Sequence, residues 1–160
     1  MTISKYITLA EAIKSPTAVR LGISNEPNEA QLAAMKSVAT HIFDKVREFV
    51  GAPLAASSFF RSQALNDAVA GSSKTSQHMT GEAIDIDCDV FGNSSNLNIF
   101  TFIKDNLVFD QLIYEYPNAD GMASWVHVSY VDHPKHNRSQ ILVKLKEKYI
   151  PYGEYKIGMI

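Results

Sequence analysis

The stretch FDQLIYEYPNADGMASWVHVSYV, from Phe109 to Val131, decides the fold. Its two ends, residues 109–116 and 124–131, are rich in aromatic and branched aliphatic residues, a composition typical of β-strands. Between them lies the turn sequence Pro117-Asn118-Ala119-Asp120-Gly121. Proline, asparagine and glycine favour a tight chain reversal, so the stretch predicts two antiparallel neighbouring strands.

Helical patterns dominate the first part of the chain. The longest helix is predicted over residues 28–50, where apolar residues recur at three- and four-residue steps. They are Leu32, Met35, Ala39, Ile42, Val46 and Phe49. Further helices are predicted over 62–70 and 94–106, and further strands over 82–88 and 140–145. Helices early and strands late predict one α+β domain over residues 1–160, with a mostly antiparallel sheet and helices packed on one side.

Composition excludes several classes of protein. The 160 residues include fifteen basic and seventeen acidic side chains, which gives no electrostatic footprint for binding nucleic acid. A single cysteine, Cys88, excludes an internal disulfide framework and a Cys-rich zinc module. No apolar stretch approaches the roughly 18–20 residues that cross a bilayer. The amino terminus lacks the features of a signal peptide. We therefore expect a monomer without a membrane span, made in the cytoplasm.

Two histidines and an aspartate are the candidate metal ligands. His78 and Asp85 are seven residues apart, which a straight strand would spread over roughly 23 Å, but a bend at Gly81 can bring them together. His127 shares a strand face with Trp125 and Ser129, opposite Val126 and Val128. If the strands are neighbours, the three side chains converge. Two imidazoles and one carboxylate suit zinc, with a fourth position open for water.

The same residues are also compatible with different roles. His127 can be a packed or hydrogen-bonded histidine, and Asp85 can cap a turn or pair with a basic residue. Asp85, Asp87 and Asp89 can also be interpreted as a calcium cluster, although their alternation on one strand lacks the looped spacing of calcium sites. His133 and His136 flank Pro134, so their His-x-x-His spacing cannot lie on a regular helix.

Several motifs resemble the zinc D-alanyl-D-alanine carboxypeptidase family, which shares a superfamily with the zinc-binding fold of Hedgehog signalling domains. They are Arg61-Ser62, Asn66, Val69, SQHMTGEAID at 76–85 and WVHVS at 125–129. SPTA at 15–18 and GISNEP at 22–27 resemble the branch found in bacterial and phage cell-wall peptidases. The resemblance covers residues 8 to 145, approximately, and implies a Hedgehog/DD-peptidase-like fold.

The resemblance also implies roles for individual residues. His78, Asp85 and His127 would bind Zn²⁺, and Arg61 would face a carboxylate or carbonyl oxygen of the substrate. A guanidinium group suits that task because it can hold a carboxylate through two hydrogen bonds. A salt bridge is the structural alternative for Arg61. Ser76 would shape the loop beside the metal.

The general base is where this sequence departs from the family pattern. Many relatives place a glutamate three residues before the last histidine ligand, and here that position is Ser124. We expect Glu115 to replace it if the strand register turns Glu115 into the cleft beside the last ligand. Asp87 is the reserve candidate, or else a residue that orients His78. Trp125 and Tyr114 are expected to line the cleft and bind substrate.

The resulting functional prediction is a zinc metallopeptidase that hydrolyses peptide bonds in peptidoglycan stem peptides. The bond is left open between a D-Ala-D-Ala carboxypeptidase cut, an L-Ala-D-Glu endopeptidase cut and a cross-bridge cut. A phage endolysin needs no signal peptide, because another protein opens the membrane for its release to the cell wall. A virion component or a host enzyme is equally compatible. The alternative function is an inactive zinc-holding module that binds or supports the cell wall.

Overall fold

A six-stranded sheet forms the centre of the fold in the computed structural model, which describes residues 1–132 and 137–160. His133 and His136 fall outside the described residues. The strands are β1 (Ala55–Ser58), β2 (Ala83–Asp87), β3 (Gln111–Glu115), β4 (Trp125–Ser129), β5 (Gln140–Lys144) and β6 (Tyr149–Pro151). Their order across the sheet is β1-β2-β4-β3-β5-β6. Among these described strands, only β3 and β5 pair in parallel, which confirms the mostly antiparallel prediction.

The predicted hairpin is present and sets the register at the centre of the sheet. In it, β3 and β4 are antiparallel, with Ile113 opposite His127 and Glu115 opposite Trp125. On the other side of β4, strand β2 places Asp85 opposite His127. Directly opposed residues point to the same face of a sheet. Asp85, His127, Ile113 and Glu115 therefore share one face.

Six α-helices accompany the sheet within the described ranges. They are α1 (Leu9–Ala12), α2 (Pro16–Leu21), α3 (Glu29–Val38), α4 (Asp44–Val50), α5 (Gln63–Ala68) and α6 (Asn96–Asn106). A π-helical segment, Ala39–Phe43, joins α3 to α4, so the predicted helix over 28–50 is continuous in space. It ends at Gly51, whose φ of 71° is the left-handed conformation that favours glycine.

The hydrophobic core lies between the long helices and one face of the sheet. Met35 and Ile42 from the helical segment pack in the same buried cluster as Ile84, Val126 and Val128. Leucine, valine and isoleucine at alternate strand positions supply this face because successive side chains point to opposite sides. The long helices therefore leave the other face free to form a cleft. Within residues 1–132 and 137–160, no helix has the length and hydrophobicity that a membrane span requires.

Candidate metal centre and its cleft

A sharp bend at Gly81 brings His78 back towards β2. Gly81 has a φ of 77°, which L-residues with a side chain rarely adopt. A Cβ atom at this position would lie 2.5 Å from the carbonyl oxygen of Gln31. Gln31 also donates a 2.9 Å hydrogen bond from Nε2 to the carbonyl oxygen of Met79. Helix α3 and the loop thus approach more closely than any other residue at 81 would allow, and the bend predicted from the sequence is confirmed.

Three predicted ligands meet at one point of the cleft. Their potential ligand atoms all lie within 4.8 Å of one another. Oδ1 of Asp85 is 3.2 Å from Nε2 of His78 and 2.9 Å from Nδ1 of His127. All three residues are buried. The long separation in sequence is overcome by the bend and by the opposed positions of Asp85 and His127.

The protonation pattern of His78 tests whether this cluster fits a cation. Nδ1 of His78 lies 2.6 Å from the carbonyl oxygen of Phe59. Because a carbonyl oxygen only accepts, Nδ1 must carry the hydrogen, and in the neutral imidazole Nε2 is left with a lone pair. Burial lowers the pKa of His78, which favours this neutral form. The Nε2 lone pair then faces a carboxylate oxygen, an arrangement that a shared cation stabilises.

Asp85 stays ionised in spite of its surroundings. Burial by itself would raise the pKa of this carboxyl group, but the neighbouring His78 and His127 outweigh burial and hold the pKa well below its ordinary value. The site therefore combines an anionic oxygen with two imidazole nitrogens. This donor set suits zinc and leaves room in a tetrahedral shell for one more ligand.

Glu115 points into the cleft from the strand register predicted for it. It is 7% exposed and belongs to the cleft lining together with His127. Burial raises the pKa of Glu115 to about 7, with the attraction of His127 opposing the rise and the repulsion of Asp85 adding to it. A carboxyl group with a pKa near neutrality is suited to accept and return protons.

Arg61 brings a desolvated cation to the same cleft. Its backbone N–H donates a 3.2 Å hydrogen bond to the carbonyl oxygen of His78, which fixes it beside the bend. Burial lowers the pKa of Arg61, whereas attraction to Asp85 and Glu115 opposes that shift. Nε of Arg61 is buried without a hydrogen-bond partner among the described residues. A buried donor that is unpaired is a candidate contact for a bound ligand.

The cleft has a volume of about 660 Å³, and the three candidate ligands belong to its lining. Trp125 lines it as predicted, and the ring of Tyr116 packs against Trp125 at a centroid distance of 5.4 Å. Ser76 also lines the cleft, and its Oγ accepts a 3.3 Å hydrogen bond from the backbone N–H of His78. The position of Ser76 is therefore compatible with its expected effect on the loop.

Tyr114 does not line the cleft, contrary to the sequence-based prediction. It is 1% exposed, and its hydroxyl group donates a 2.9 Å hydrogen bond to the carbonyl oxygen of Gly121. Its ring packs edge-to-face against Phe100 in the core. Strand geometry is the reason, because Tyr114 and Glu115 are consecutive in β3 and must point to opposite faces.

Asp87 does not orient His78, which is a second difference from the sequence-based prediction. Its Oδ1 accepts hydrogen bonds from the backbone N–H of Asp89 and from Nδ2 of Asn96, so it caps the helical turn that follows β2. The residue that orients the imidazole is Phe59, through its main-chain oxygen. Asp87 also lies outside the cleft lining, which removes it as the reserve base.

Sequence reasoning missed the far wall of the cleft. Arg138, Leu142 and Tyr149 line it, yet none had been assigned a role. The predicted strand over 140–145 was the available signal, since alternation along it places Leu142 and Lys144 on a common face. The strand that pairs with 140–145 could not be identified from the sequence. It was therefore impossible to derive whether Leu142 and Lys144 face the cleft or the core.

Three candidate metal ligands, a buried carboxyl group and a guanidinium group thus share one cleft, a combination typical of metal-dependent hydrolases. The sequence matches the family model described as Peptidase M15 over residues 5–129. The chain therefore belongs to the peptidase M15 family, the zinc D-Ala-D-Ala carboxypeptidase family, which confirms the resemblance and the Hedgehog/DD-peptidase-like fold. Its members are metallopeptidases that are in general zinc-dependent. No curated protein sequence matches the chain.

Proposed function

We propose that this protein is a zinc metallopeptidase that hydrolyses peptide bonds in the stem peptides of peptidoglycan. The observation that supports it most strongly is the convergence of His78, Asp85 and His127 within 4.8 Å at the base of a cleft. Glu115 and Arg61 line the same cleft. Membership in the peptidase M15 family supports a peptide as the substrate.

The chemistry divides among a few groups. His78, Asp85 and His127 would hold the zinc, which when bound polarises the scissile carbonyl group and lowers the pKa of water. Glu115 accepts a proton from the attacking water and returns it to the leaving amine, a cycle that its pKa of about 7 supports. Arg61 donates hydrogen bonds to a carboxylate or to the oxyanion of the substrate.

Biological context extends the proposal. A phage-encoded endolysin that reaches the cell wall when the host lyses fits the proposed substrate, as does a host enzyme. The single-domain organisation over 1–160, the monomeric state and the cytoplasmic synthesis stay predictions.

Muropeptide release is the direct test. Purified zinc-loaded protein is incubated with peptidoglycan of several chemotypes, and the new amino and carboxyl termini are identified by mass spectrometry. We expect release by the wild type and a loss of at least about 10²-fold in the Glu115→Gln variant, with zinc content unchanged. Glu147→Gln, at an exposed glutamate of the β5–β6 connection, is the matched control and should keep full activity. Full activity in Glu115→Gln would refute the assigned base.

One observation favours a second candidate, a zinc-holding module without hydrolytic activity. Ser124 occupies the position where many relatives carry the glutamate, and its hydroxyl group donates to the carbonyl oxygen of Tyr116 instead of reaching the ligands. A module of this kind would bind zinc and peptidoglycan but release no peptide. Wild-type protein with a full zinc complement and no product on any chemotype would establish this alternative over the peptidase.

A further inference from the structure

The far wall of the cleft comes from chain that follows the family match. The matched segment ends at residue 129, whereas Arg138, Leu142 and Tyr149 lie beyond it. Strand β5 pairs in parallel with β3, which places Leu142 beside Ile113, the residue opposite His127. Two strand spacings, about 10 Å, therefore separate Leu142 from His127.

Arg138 is held in a fixed orientation at this wall. Its Nε and Nη2 donate 2.8 Å hydrogen bonds to Oδ1 and Oδ2 of Asp110, respectively, and its backbone N–H donates to Oδ1 at 3.0 Å. Asp110 is only 3% exposed, whereas the side chain of Arg138 is 55% exposed. The hydrogen bonds from Arg138 lower the pKa of Asp110 to about 2, so the pair is ionic at neutral pH. A guanidinium group clamped in this way loses little conformational entropy when it binds a ligand.

Among the described residues, the hydrogen bonds to Asp110 leave part of the Arg138 guanidinium group without a partner. No described residue accepts a hydrogen bond from Nη1 of Arg138, and this side chain lines the cleft. Asp110 also accepts a 3.0 Å hydrogen bond from Nε2 of Gln77, the neighbour of His78. The buried carboxylate of Asp110 thus holds Arg138 in a fixed position relative to the loop that contains Gln77 and His78. Ile113 and Leu142 give the floor of the cleft an apolar patch, because both line it.

We infer that Arg138 binds a carboxylate side group of the peptide substrate, an inference that rests on the proposed function. Arg61 follows β1 at one edge of the sheet, and Arg138 precedes β5 on the other side of the cluster. A ligand that engages both therefore carries acceptors on either side of the metal. A stem peptide meets this requirement, because its γ-linked D-glutamate leaves the α-carboxylate as a side group within the chain. Asp110 neutralises part of the charge of Arg138, so a moderate preference of about tenfold is expected.

Binding to an inactive background tests the subsite without hydrolysis. Two soluble stem pentapeptides that differ only in a free or amidated D-glutamyl α-carboxylate are titrated by calorimetry into zinc-loaded Glu115→Gln protein. We expect the free carboxylate to bind about tenfold more tightly. Adding Arg138→Gln should abolish this preference, whereas Lys146→Gln, at an exposed lysine of the β5–β6 connection, should retain it.

Equal binding of the two peptides, a preference that survives Arg138→Gln, or no binding of either peptide would overturn the inference. If Arg138→Gln fails to fold, Arg138→Lys decides. Its single ammonium nitrogen can keep the ion pair with Asp110 but offers no second nitrogen directed at the ligand, so the preference should fall at least threefold. An unchanged preference in the Arg138→Lys variant would also overturn the inference. Because no bond is cut in this measurement, an inactive wild type that keeps the preference refutes the peptidase alone. An active wild type with no preference refutes the subsite alone.

Discussion

Glu115 couples the candidate site to the pH dependence of stability. In the folded protein without metal, burial raises its pKa from 4.5 to about 7. Between these values, the folded state binds a proton that the unfolded chain has released, so the free energy of unfolding falls as the pH rises from about 4.5 to about 7. At about 1.4 kcal/mol for each pH unit, the full loss over about 2.5 units is about 3.5 kcal/mol. The Glu115→Gln variant has no such loss.

Urea unfolding of chelator-treated protein measures this effect. The free energy of unfolding of Glu115→Gln, minus that of the wild type, should increase by about 2.5 kcal/mol between pH 5 and pH 8. Comparing the two proteins at both pH values cancels the titration of other groups. Glu147→Gln, at an exposed glutamate, is the matched control for the chemistry of the substitution. A difference for Glu115→Gln that stays constant between pH 5 and pH 8 would refute the argument that burial raises the pKa of Glu115.

Three further substitutions test separate parts of the structure. His127→Ala should retain less than about a tenth of an ion per chain in elemental analysis, because it removes one of the three ligands; a full zinc complement in the folded variant would contradict the site. Gly81→Ala should destabilise the protein by at least about 2 kcal/mol more than Gly92→Ala in denaturant unfolding. Both glycines have positive φ, but only Gly81 has a backbone oxygen, that of Gln31, 2.5 Å from the added Cβ; equal losses would be the contrary result. Tyr114→Phe should lower the free energy of unfolding by about 1–2 kcal/mol and leave peptide hydrolysis unchanged, since it removes a buried hydrogen bond remote from the cleft. A fall in kcat/KM at unchanged stability would argue against this placement.

The parts of the fold that the sequence predicted correctly depend on local signals. The hairpin of β3 and β4 surrounds a turn that proline and glycine mark, and the bend at Gly81 follows from a residue that tolerates positive φ. Once the hairpin is placed, period-two alternation decides the faces of both strands. The convergence of His78, Asp85 and His127 could therefore be predicted, with the register as the remaining condition.

The same rule shows why one predicted cleft residue was wrong. Glu115 and Tyr114 were both expected in the cleft, although consecutive strand residues point to opposite faces. Once Glu115 is assigned to the cleft, the same rule assigns Tyr114 to the core. This error was avoidable from the sequence.

Two features of the cleft could not be derived from the sequence. The orientation of His78 depends on the carbonyl oxygen of Phe59, and every residue has a carbonyl group, so no side-chain pattern marks it. The wall that contains Arg138 depends on the parallel pairing of β5 with β3, which are not adjacent in the chain. Arg138 and its partner Asp110 are 28 residues apart. No spacing rule for a single helix or strand relates such positions.

Phe59 serves two parts of the molecule with different atoms. Its side chain is buried in the core cluster, while its main-chain oxygen contacts the imidazole of His78. A backbone displacement caused by repacking of the interior would therefore be transmitted to the ligand geometry without any change among the residues of the cleft. The alignment of Nε2 of His78, the candidate ligand atom, therefore depends on packing in the interior, and mutations that only loosen this packing are expected to alter the candidate site at a distance.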